Sequence, residues 1–160
     1  MTELRLIEAD SPDYPVGLRD LEDSPPIYVV GELAEPSGVA VVGTRRCTRY
    51  GIDAANAFGA AIARAGWSVV SGLARGIDTA AHVGCLDASG HAIGVLGCGI
   101  DVRYPRENYA VYERIEESGG ALISEYPPGT PPDRWRFPAR NRLIAAMSAA
   151  VVVVEAAESG

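Results

Sequence analysis

Short apolar runs alternate with polar or glycine-rich stretches along the chain from residue 39 onward. The runs are rich in β-branched residues and show no polar alternation, which is typical of strands that are buried on both faces of a sheet. They occupy residues 39–42, 67–70, 91–96, 121–124 and 149–154. The pattern therefore predicts five central strands, each followed by a loop.

The segments between these runs repeat small and apolar residues at helical spacing. Residues 50–66, 78–90 and 108–120 each end in glycine, which is common just beyond the last helical turn. A fourth helix is predicted at RNRLIAAMSA, with Arg140 and Arg142 at its start. Strands that alternate with helices predict an α/β fold with a doubly wound, mostly parallel sheet in a three-layer α/β/α arrangement.

Residues 1–38 have a different character. They are rich in proline and acidic residues, and IYVV at 27–30 is the only strand-like run that we identify among them. We therefore predict an acidic, proline-rich lead-in over residues 1–38 with one short strand, followed by the α/β domain over residues 39–160.

The net negative charge of the chain lies entirely in this lead-in. Residues 1–38 hold two arginines and nine acidic residues, whereas residues 39–160 hold twelve of each. Two stretches of the second part, RRCTR at 45–49 and RWRFPARNR at 134–142, contain arginine and no acidic residue. The net charge of −7 therefore does not exclude a polyanionic partner.

The stretch at 134–142 interleaves Trp135 and Phe137 with four arginines. Aromatic faces beside guanidinium groups are typical of sites for single-stranded nucleic acid, in which bases stack on rings and phosphates pair with arginine. Arg140 and Arg142, at the predicted start of a helix, meet an unfavourable dipole that a bound anion would offset. The alternatives are a core position for Phe137 and a lid over the sheet for Trp135.

Loops that follow parallel strands meet at one edge of a sheet, where such folds bind their ligands. Gly43 comes directly after the first central strand, and without a Cβ it lets a ligand approach the backbone. A tight turn with solvated arginines is the alternative for this loop. The residues that we expect to form one shared site are Gly43, Thr44, Arg45, Ser71, Gly72, Arg75, Gly76, Arg134, Phe137, Arg140 and Asn141. Other residues predicted at the same edge are Gly97, Gly99, Glu155, Ser159 and Gly160.

An enzymatic interpretation depends on Asp78 and His82, which are four residues apart on a predicted helix. They suit either a catalytic dyad or, as we favour, a helix cap with a locally paired histidine. Ser71 and Ser124 are candidate nucleophiles, but neither lies in a GxSxG elbow. The chain also lacks the GxGxxG and GxxxxGK[ST] patterns of dinucleotide and P-loop sites.

The three cysteines are widely spaced and form no CxxC pair, and the two histidines lack partners at ligand spacing. We therefore expect no metal site, no disulfide framework and no cofactor. The first residues do not read as a signal peptide, and no apolar run is long enough to span a membrane. A cytoplasmic location without membrane contact is the default expectation.

Taken together and in order, the motifs resemble the DprA (Smf, DNA-processing protein A) family. The matching pieces are LRDLEDSPPIYVVGEL, VAVVGTRRCTRYG, VSGLARGIDTAAH, GVLGCGIDVRYPREN, ISEYPPGTPP and FPARNRLIAAMS. The resemblance implies a Rossmann-like domain, without catalytic activity, that binds single-stranded DNA. It also implies delivery of that DNA to the RecA recombinase during natural transformation.

The resemblance also assigns roles to residues of the expected site. Arg45 matches the arginine of the family's G-[ST]-R motif, and Arg134 matches a basic residue three positions before the base-stacking aromatic, here Phe137. Arg140 and Asn141 complete the F-x-x-R-N-R motif. The small-residue walls of the pocket correspond to Gly43, Thr44, Ser71, Gly72 and Gly76.

The chain departs from the family where it stops, at EAAESG. The family continues with a further loop, a helix and a strand, so the resemblance implies a C-terminally truncated member whose full-length form is a homodimer. One alternative is a nucleotide-binding or phosphoribohydrolase-type enzyme of a related fold, although SGGALISE at 118–125 lacks the P-G-G-x-G-T-x-x-E loop of those enzymes. Another is a truncated domain without activity of its own.

Overall fold

A mixed sheet forms the centre of the protein. The computed structural model describes residues 2–33 and 38–158, and within them the sheet has seven strands in the order β1-β2-β6-β5-β4-β3-β7. The strands are β1 (Leu4–Ile7), β2 (Ile27–Gly31), β3 (Gly38–Val42), β4 (Val69–Ser71), β5 (Ala92–Leu96), β6 (Ala121–Ser124) and β7 (Ser148–Val153). The helices are α1 (Arg49–Arg64), α2 (Ile77–Asp87), α3 (Tyr109–Glu117) and α4 (Arg136–Ala146).

The five strands predicted from the apolar runs are all present, and neighbours among them pair in parallel. The buried residues form two clusters, one on each face of the sheet. Helices α1, α2 and α3 cover the first cluster, while α4 and a short 3-10 turn at Val16–Asp20 cover the second. The predicted three-layer α/β architecture with a mostly parallel sheet is confirmed.

The lead-in contains two strands, so the expectation of a single short strand was wrong. β1 pairs antiparallel with β2, and β2 pairs antiparallel with β6, which extends the sheet at one edge. β1 is an edge strand of four residues in which Leu4 and Leu6 are exposed and Ile7 is buried. A strand of this length with little burial carries almost no periodic signal, and its existence depends on pairing with β2. The boundary at residue 38 stays a prediction.

Helix α4 begins at Arg136, one turn earlier than the sequence predicted. Pro138 did not prevent this, because the first turn of a helix has no carbonyl partners for its own N–H groups. Arg140 is therefore not at the helix start but in the second turn, where it is buried. The dipole argument for a bound anion at Arg140 and Arg142 consequently does not hold. No helix in the described ranges is both long and apolar enough to cross a membrane.

Candidate functional site

Two adjoining hollows at the carboxyl ends of β3, β4 and β5 form what we call the carboxyl-edge cleft. Arg45, Ala74, Phe137 and Arg140 line both hollows, and the larger one has a volume of about 190 Å³. The remaining lining residues are Val42, Gly43, Gly72, Leu73, Arg75, Asp78, Tyr104, Pro105, Pro138 and Asn141. The cleft thus brings together most of the residues predicted from separate loops.

Phe137 is the aromatic centre of the cleft. Its half-buried ring stacks on Tyr104, with 5.6 Å between the centroids and 23° between the planes. The ring also lies so close to Gly97 that a Cβ at that position would approach it to 2.7 Å. The guanidinium carbons of Arg45 and Arg140 lie 4.9 and 5.6 Å from the Phe137 centroid. Two cations therefore converge on one fixed ring.

The two guanidinium groups differ in exposure. Arg45 is exposed, and none of the ion pairs found in the described ranges includes it. Arg140 is only 4% exposed. Burial lowers the pKa of Arg140, the positive charge of Arg45 lowers it further, and the charge of Asp78 opposes both effects. Arg45 is thus available to a ligand, whereas Arg140 contributes its charge from beneath the surface.

Arg140 and Asp78 hold the backbone of Gly72 from two sides. Arg140 Nη1 donates to the carbonyl oxygens of Gly72 and Val95, both at 2.8 Å, and so ties the ends of β4 and β5 together. The Gly72 amide donates to Asp78 Oδ2 at 3.1 Å. Burial raises the pKa of Asp78, and the charge of Arg140 opposes that rise. A Cβ at Gly72 would lie 2.7 Å from Arg140 Cζ, so a side chain at this position would displace the guanidinium group.

The other small residues of the predicted walls owe their size to packing between the β3–α1 loop and α2. A Cβ at Gly43 would meet Ile77 Cγ1 at 2.6 Å, and one at Gly76 would meet the Thr44 carbonyl at the same distance. Gly76 also has a φ of +82°, which favours glycine. Ser71 is buried, and its hydroxyl donates to the Val41 carbonyl at 2.6 Å. Ser71 therefore supports the site from within the sheet.

Of four further predicted residues, Arg75 and Asn141 line the cleft, whereas Thr44 and Arg134 are not among its lining residues. Thr44 Oγ1 accepts from the Arg46 amide at 3.2 Å, which shapes the loop after β3. Asn141 is exposed, and its Oδ1 accepts from Arg140 Nε at 3.1 Å. Arg75 is paired with Glu107, the closest contact being 3.0 Å. Arg134 is exposed, and no ion pair of the described residues involves it.

The remaining arginines of 134–142 have structural partners. Arg142 donates to both carboxylate oxygens of Glu125 at 2.7 Å and to Asp23 at 2.5 Å. These carboxylates raise the pKa of Arg142. Arg136 donates to the Pro131 carbonyl at 2.6 Å. The acid-free stretch in the sequence is therefore not a uniform cationic surface, because distant acidic residues neutralise part of it.

Tyr104 is a cleft residue that the sequence reasoning missed. It lies in the loop after β5, at the same carboxyl edge as the loops that were considered. The signal available in the sequence was an aromatic residue, Tyr104, directly before Pro105 in that loop. Glu155, predicted at this edge, lies there: its backbone carbonyl accepts from the Thr44 amide, and its carboxylate accepts from the Thr48 amide and hydroxyl at the start of α1. Ser159 and Gly160 lie outside the described residues.

Neither interpretation of Asp78 and His82 survives in the structure. Gly76 is the cap of α2, and Asp78 in the first turn accepts from Gly72. His82 is fully buried, and within the described ranges its ring nitrogens have no hydrogen-bond partner. Burial lowers the pKa of His82 to about 4, an effect that the Ser71 backbone opposes only in part. The two residues are four apart on α2 as predicted, but within the described residues the ring nitrogens of His82 make no hydrogen bond to Asp78.

The chemistry of the described residues offers little to a metal ion. Among residues 2–33 and 38–158, no group of three or more His, Cys, Asp or Glu side chains is arranged to hold one. Cys47, Cys85 and Cys98 are free thiols. Burial raises the pKa of both Cys85 and Cys98 to about 11, so these two thiols stay protonated.

Comparison with known proteins gives a consistent result. The sequence profile described as DNA recombination-mediator protein A matches residues 5–160. Protein Smf of Synechocystis is 42% identical over 95% of this chain and 40% of its own length. In general, this chain spans about half or less of the length of the curated relatives that it matches.

Two solved structures share the fold. DNA processing protein A of Streptococcus pneumoniae has a TM-score of 0.85 and 35% identity, covering 94% of this chain and 54% of that one. DNA processing protein A of Helicobacter pylori has a TM-score of 0.87 and 30% identity, covering 100% of this chain and 74% of that one. The latter structure concerns a single-stranded DNA binding mode described as unique.

Proposed function

Because this chain belongs to the DNA recombination-mediator protein A family, we propose that it binds single-stranded DNA at the carboxyl-edge cleft. The observation that carries the proposal is the convergence of Arg45 and Arg140 on the ring of Phe137, at 4.9 and 5.6 Å. A fixed aromatic face beside an exposed guanidinium group suits a base and the phosphate attached to it.

Each part of the cleft has a distinct task in this proposal. Phe137, backed by Tyr104, stacks on a base, while Arg45 and the exposed Arg134 pair with phosphates. Arg140 is a positioning residue, because it holds the ends of β4 and β5 and adds positive potential from below. Stacking does not discriminate strongly between bases, so we expect little sequence preference.

The relatives support the same ligand class. The Helicobacter pylori protein, which is 30% identical to this chain over a common fold, has a single-stranded DNA binding mode. We extend the proposal to the role that the family resemblance implies for the whole protein. That role is a non-catalytic, cytoplasmic mediator that forms a homodimer and hands single-stranded DNA to the RecA recombinase in natural transformation.

Hydrolytic chemistry receives no support from the candidate groups. Ser71 and Ser124 are buried, and their hydroxyls donate to the carbonyls of Val41 and Cys98. His82 is buried as well, so none of these three candidates faces the cleft as a nucleophile or base.

The test is binding of a fluorescent oligo-dT, followed by anisotropy across a salt series. We expect the wild type to prefer the single strand over duplex and to lose affinity as salt rises. Arg45→Ala and Arg134→Ala should each flatten the slope of log K against log salt by about 0.7. Phe137→Ala should weaken binding while leaving that slope unchanged, because it removes stacking and no phosphate contact.

Arg64→Ala is the matched control, since Arg64 is exposed in the last turn of α1, away from the cleft. It should bind oligo-dT like the wild type. The assignment of the cleft fails if Arg45→Ala, Arg134→Ala and Phe137→Ala all bind with wild-type affinity and salt dependence. Release of free base from nucleoside monophosphates would favour the enzymatic alternative instead.

A further inference from the structure

A second aromatic group lies beside the carboxyl-edge cleft and does not take part in it. The Trp135 side chain is 58% exposed at the start of α4. Its indole meets the ring of Tyr126 edge to face, with centroids 6.2 Å apart and an interplanar angle of 89°. Tryptophan and tyrosine are enriched among the side chains that contribute most to binding energy at interfaces.

Arg136 holds this aromatic pair together. Its guanidinium carbon lies 4.9 Å from the Trp135 centroid and 5.3 Å from the Tyr126 centroid. The same guanidinium donates to the Pro131 carbonyl at 2.6 Å, which fixes its place in the loop. The indole is therefore oriented before any ligand arrives, and a preorganised ring loses little entropy when a ligand stacks on it.

The pair lies next to the cleft along the sheet edge. Tyr126 follows β6, while Phe137 packs against Gly97 in the loop after β5, and β5 and β6 are neighbours. Adjacent strands are roughly 5 Å apart. Trp135 and Phe137 are two residues apart at the helix start, so their side chains point in different directions. The two aromatic surfaces consequently stand side by side without sharing a face.

The charged residues around Trp135 also suit a nucleic acid. Arg134 precedes Trp135, is exposed, and belongs to none of the ion pairs formed by the described residues. The nearby Glu125 is occupied by Arg142, which leaves the exposed Asp133 as the adjacent acidic residue in the chain. Arg134 and Arg136 thus place two guanidinium groups directly beside Trp135 in the chain.

We propose that Trp135 and Tyr126 form a second base-stacking subsite, which takes the nucleotide next to the one bound at Phe137. This inference rests on the proposed function, since it extends the path of the same single strand. The indole is more open than the half-buried Phe137 ring. The second subsite therefore accepts any base, while the Arg136 guanidinium keeps its cation–π contact with the indole.

Tryptophan fluorescence provides a direct test, because the chain has two tryptophans, Trp67 and Trp135. Trp67 precedes β4 and so lies at the opposite end of the strand from the cleft. In a Trp67→Phe protein, the emission of Trp135 alone is followed during titration with oligo-dT. We expect quenching that saturates at the same concentration as the anisotropy signal.

Substitutions at Trp135 separate stacking from simple apolar contact. Trp135→Ala should weaken oligo-dT binding by roughly 5- to 100-fold. Trp135→Phe should keep most of the affinity, whereas Trp135→Leu, which keeps apolar bulk without a ring, should lose it. The side chain is exposed, so all three variants should keep the wild-type Tm.

The two levels of the proposal fail in different ways. If oligo-dT binds with dependence on Arg45 and Phe137 but Trp135 emission does not change and Trp135→Ala binds like the wild type, the second subsite is wrong. If the wild type binds no oligo-dT, the proposed function fails and the second subsite fails with it.

Discussion

Arg140 Nη1 donates a hydrogen bond of 2.8 Å to the carbonyl oxygen of Gly72, at the end of β4. The same nitrogen reaches the Val95 carbonyl on the adjacent strand, and the Gly72 amide is held by Asp78. A buried cation and a buried carboxyl group thus secure one peptide segment at the base of the cleft. This arrangement makes Arg140 essential to the structure that supports Arg45 and Phe137.

Replacing Arg140 with methionine should destabilise the fold. The Gly72 and Val95 carbonyls would lose a buried donor, and Asp78 would lose its compensating charge. Each buried polar group left unpaired costs about 1–3 kcal/mol. Urea denaturation followed by circular dichroism measures the change. Arg46→Met, at an exposed position, should stay within about 0.5 kcal/mol of the wild type. Equal stabilities for the two variants would contradict the assigned role of Arg140.

Acidification should lower the stability of the fold through protonation of His82. Burial lowers its pKa to about 4 in the folded protein, whereas a histidine in an unfolded chain has a pKa of about 6.5. The unfolded state therefore binds this proton first. The stability from the neutral imidazole is complete above pH 6.5 and falls as the pH drops toward 4, by up to about 1.4 kcal/mol per pH unit.

His82→Leu is the comparison that isolates this effect, because the raised pKa of Asp78 acts in the opposite direction at low pH. Both ring nitrogens of His82 lack partners within the described ranges, so the leucine variant should be at least as stable at pH 7. Urea denaturation between pH 7 and pH 4 should show that the free energy of unfolding of the variant increases relative to that of the wild type as the pH falls. Parallel stability curves for the two proteins would rule out the assigned titration.

Removing the carboxylate of Glu107 should strengthen DNA binding. Glu107 pairs with Arg75 at the edge of the cleft, with N–O distances of 3.0 to 3.3 Å, and so competes with a phosphate for that guanidinium. Glu107→Gln should raise oligo-dT affinity and steepen the salt slope by up to about 0.7. Glu113→Gln removes one exposed acidic charge from α3 and serves as the control. An equal gain in both variants would mean that net charge alone is responsible.

Arg142 should behave as a structural residue although it lies in the arginine-rich stretch. It joins α4 to Glu125 and to Asp23 of the lead-in. Arg142→Ala leaves the largely buried carboxylate of Glu125 without its cation and should lower the free energy of unfolding by about 1.5–3 kcal/mol. Oligo-dT affinity of the folded variant should be unchanged. Arg134→Ala should show the reverse pattern, with normal stability and weakened binding.

Much of this fold was predictable from local signals. The β-branched runs that became β3 to β6 are largely buried, so each one carries a strong pattern within a few residues. The run that became β7 shows the same pattern, but β7 is an edge strand and most of its residues are exposed, so its expected burial on both faces was wrong. β1 was missed because Leu4 and Leu6 stay exposed and the strand is stabilised by pairing with β2. The start of α4 was misplaced because proline tolerance depends on the position within the first turn.

The sequence by itself determined where the candidate site lies. Arg45 follows β3, and Phe137 lies in the first turn of α4, the helix after β6. The alternation of strands and helices places both regions at the carboxyl edge of the sheet. Only the tertiary structure decided what each arginine does. The buried guanidinium of Arg140 donates to the carbonyl of Gly72, which lies 68 residues away in the chain. The guanidinium of Arg142 pairs with the carboxylate of Asp23, which lies 119 residues away. The charge available to a ligand depends on such distant partners, and local sequence contains no information about them.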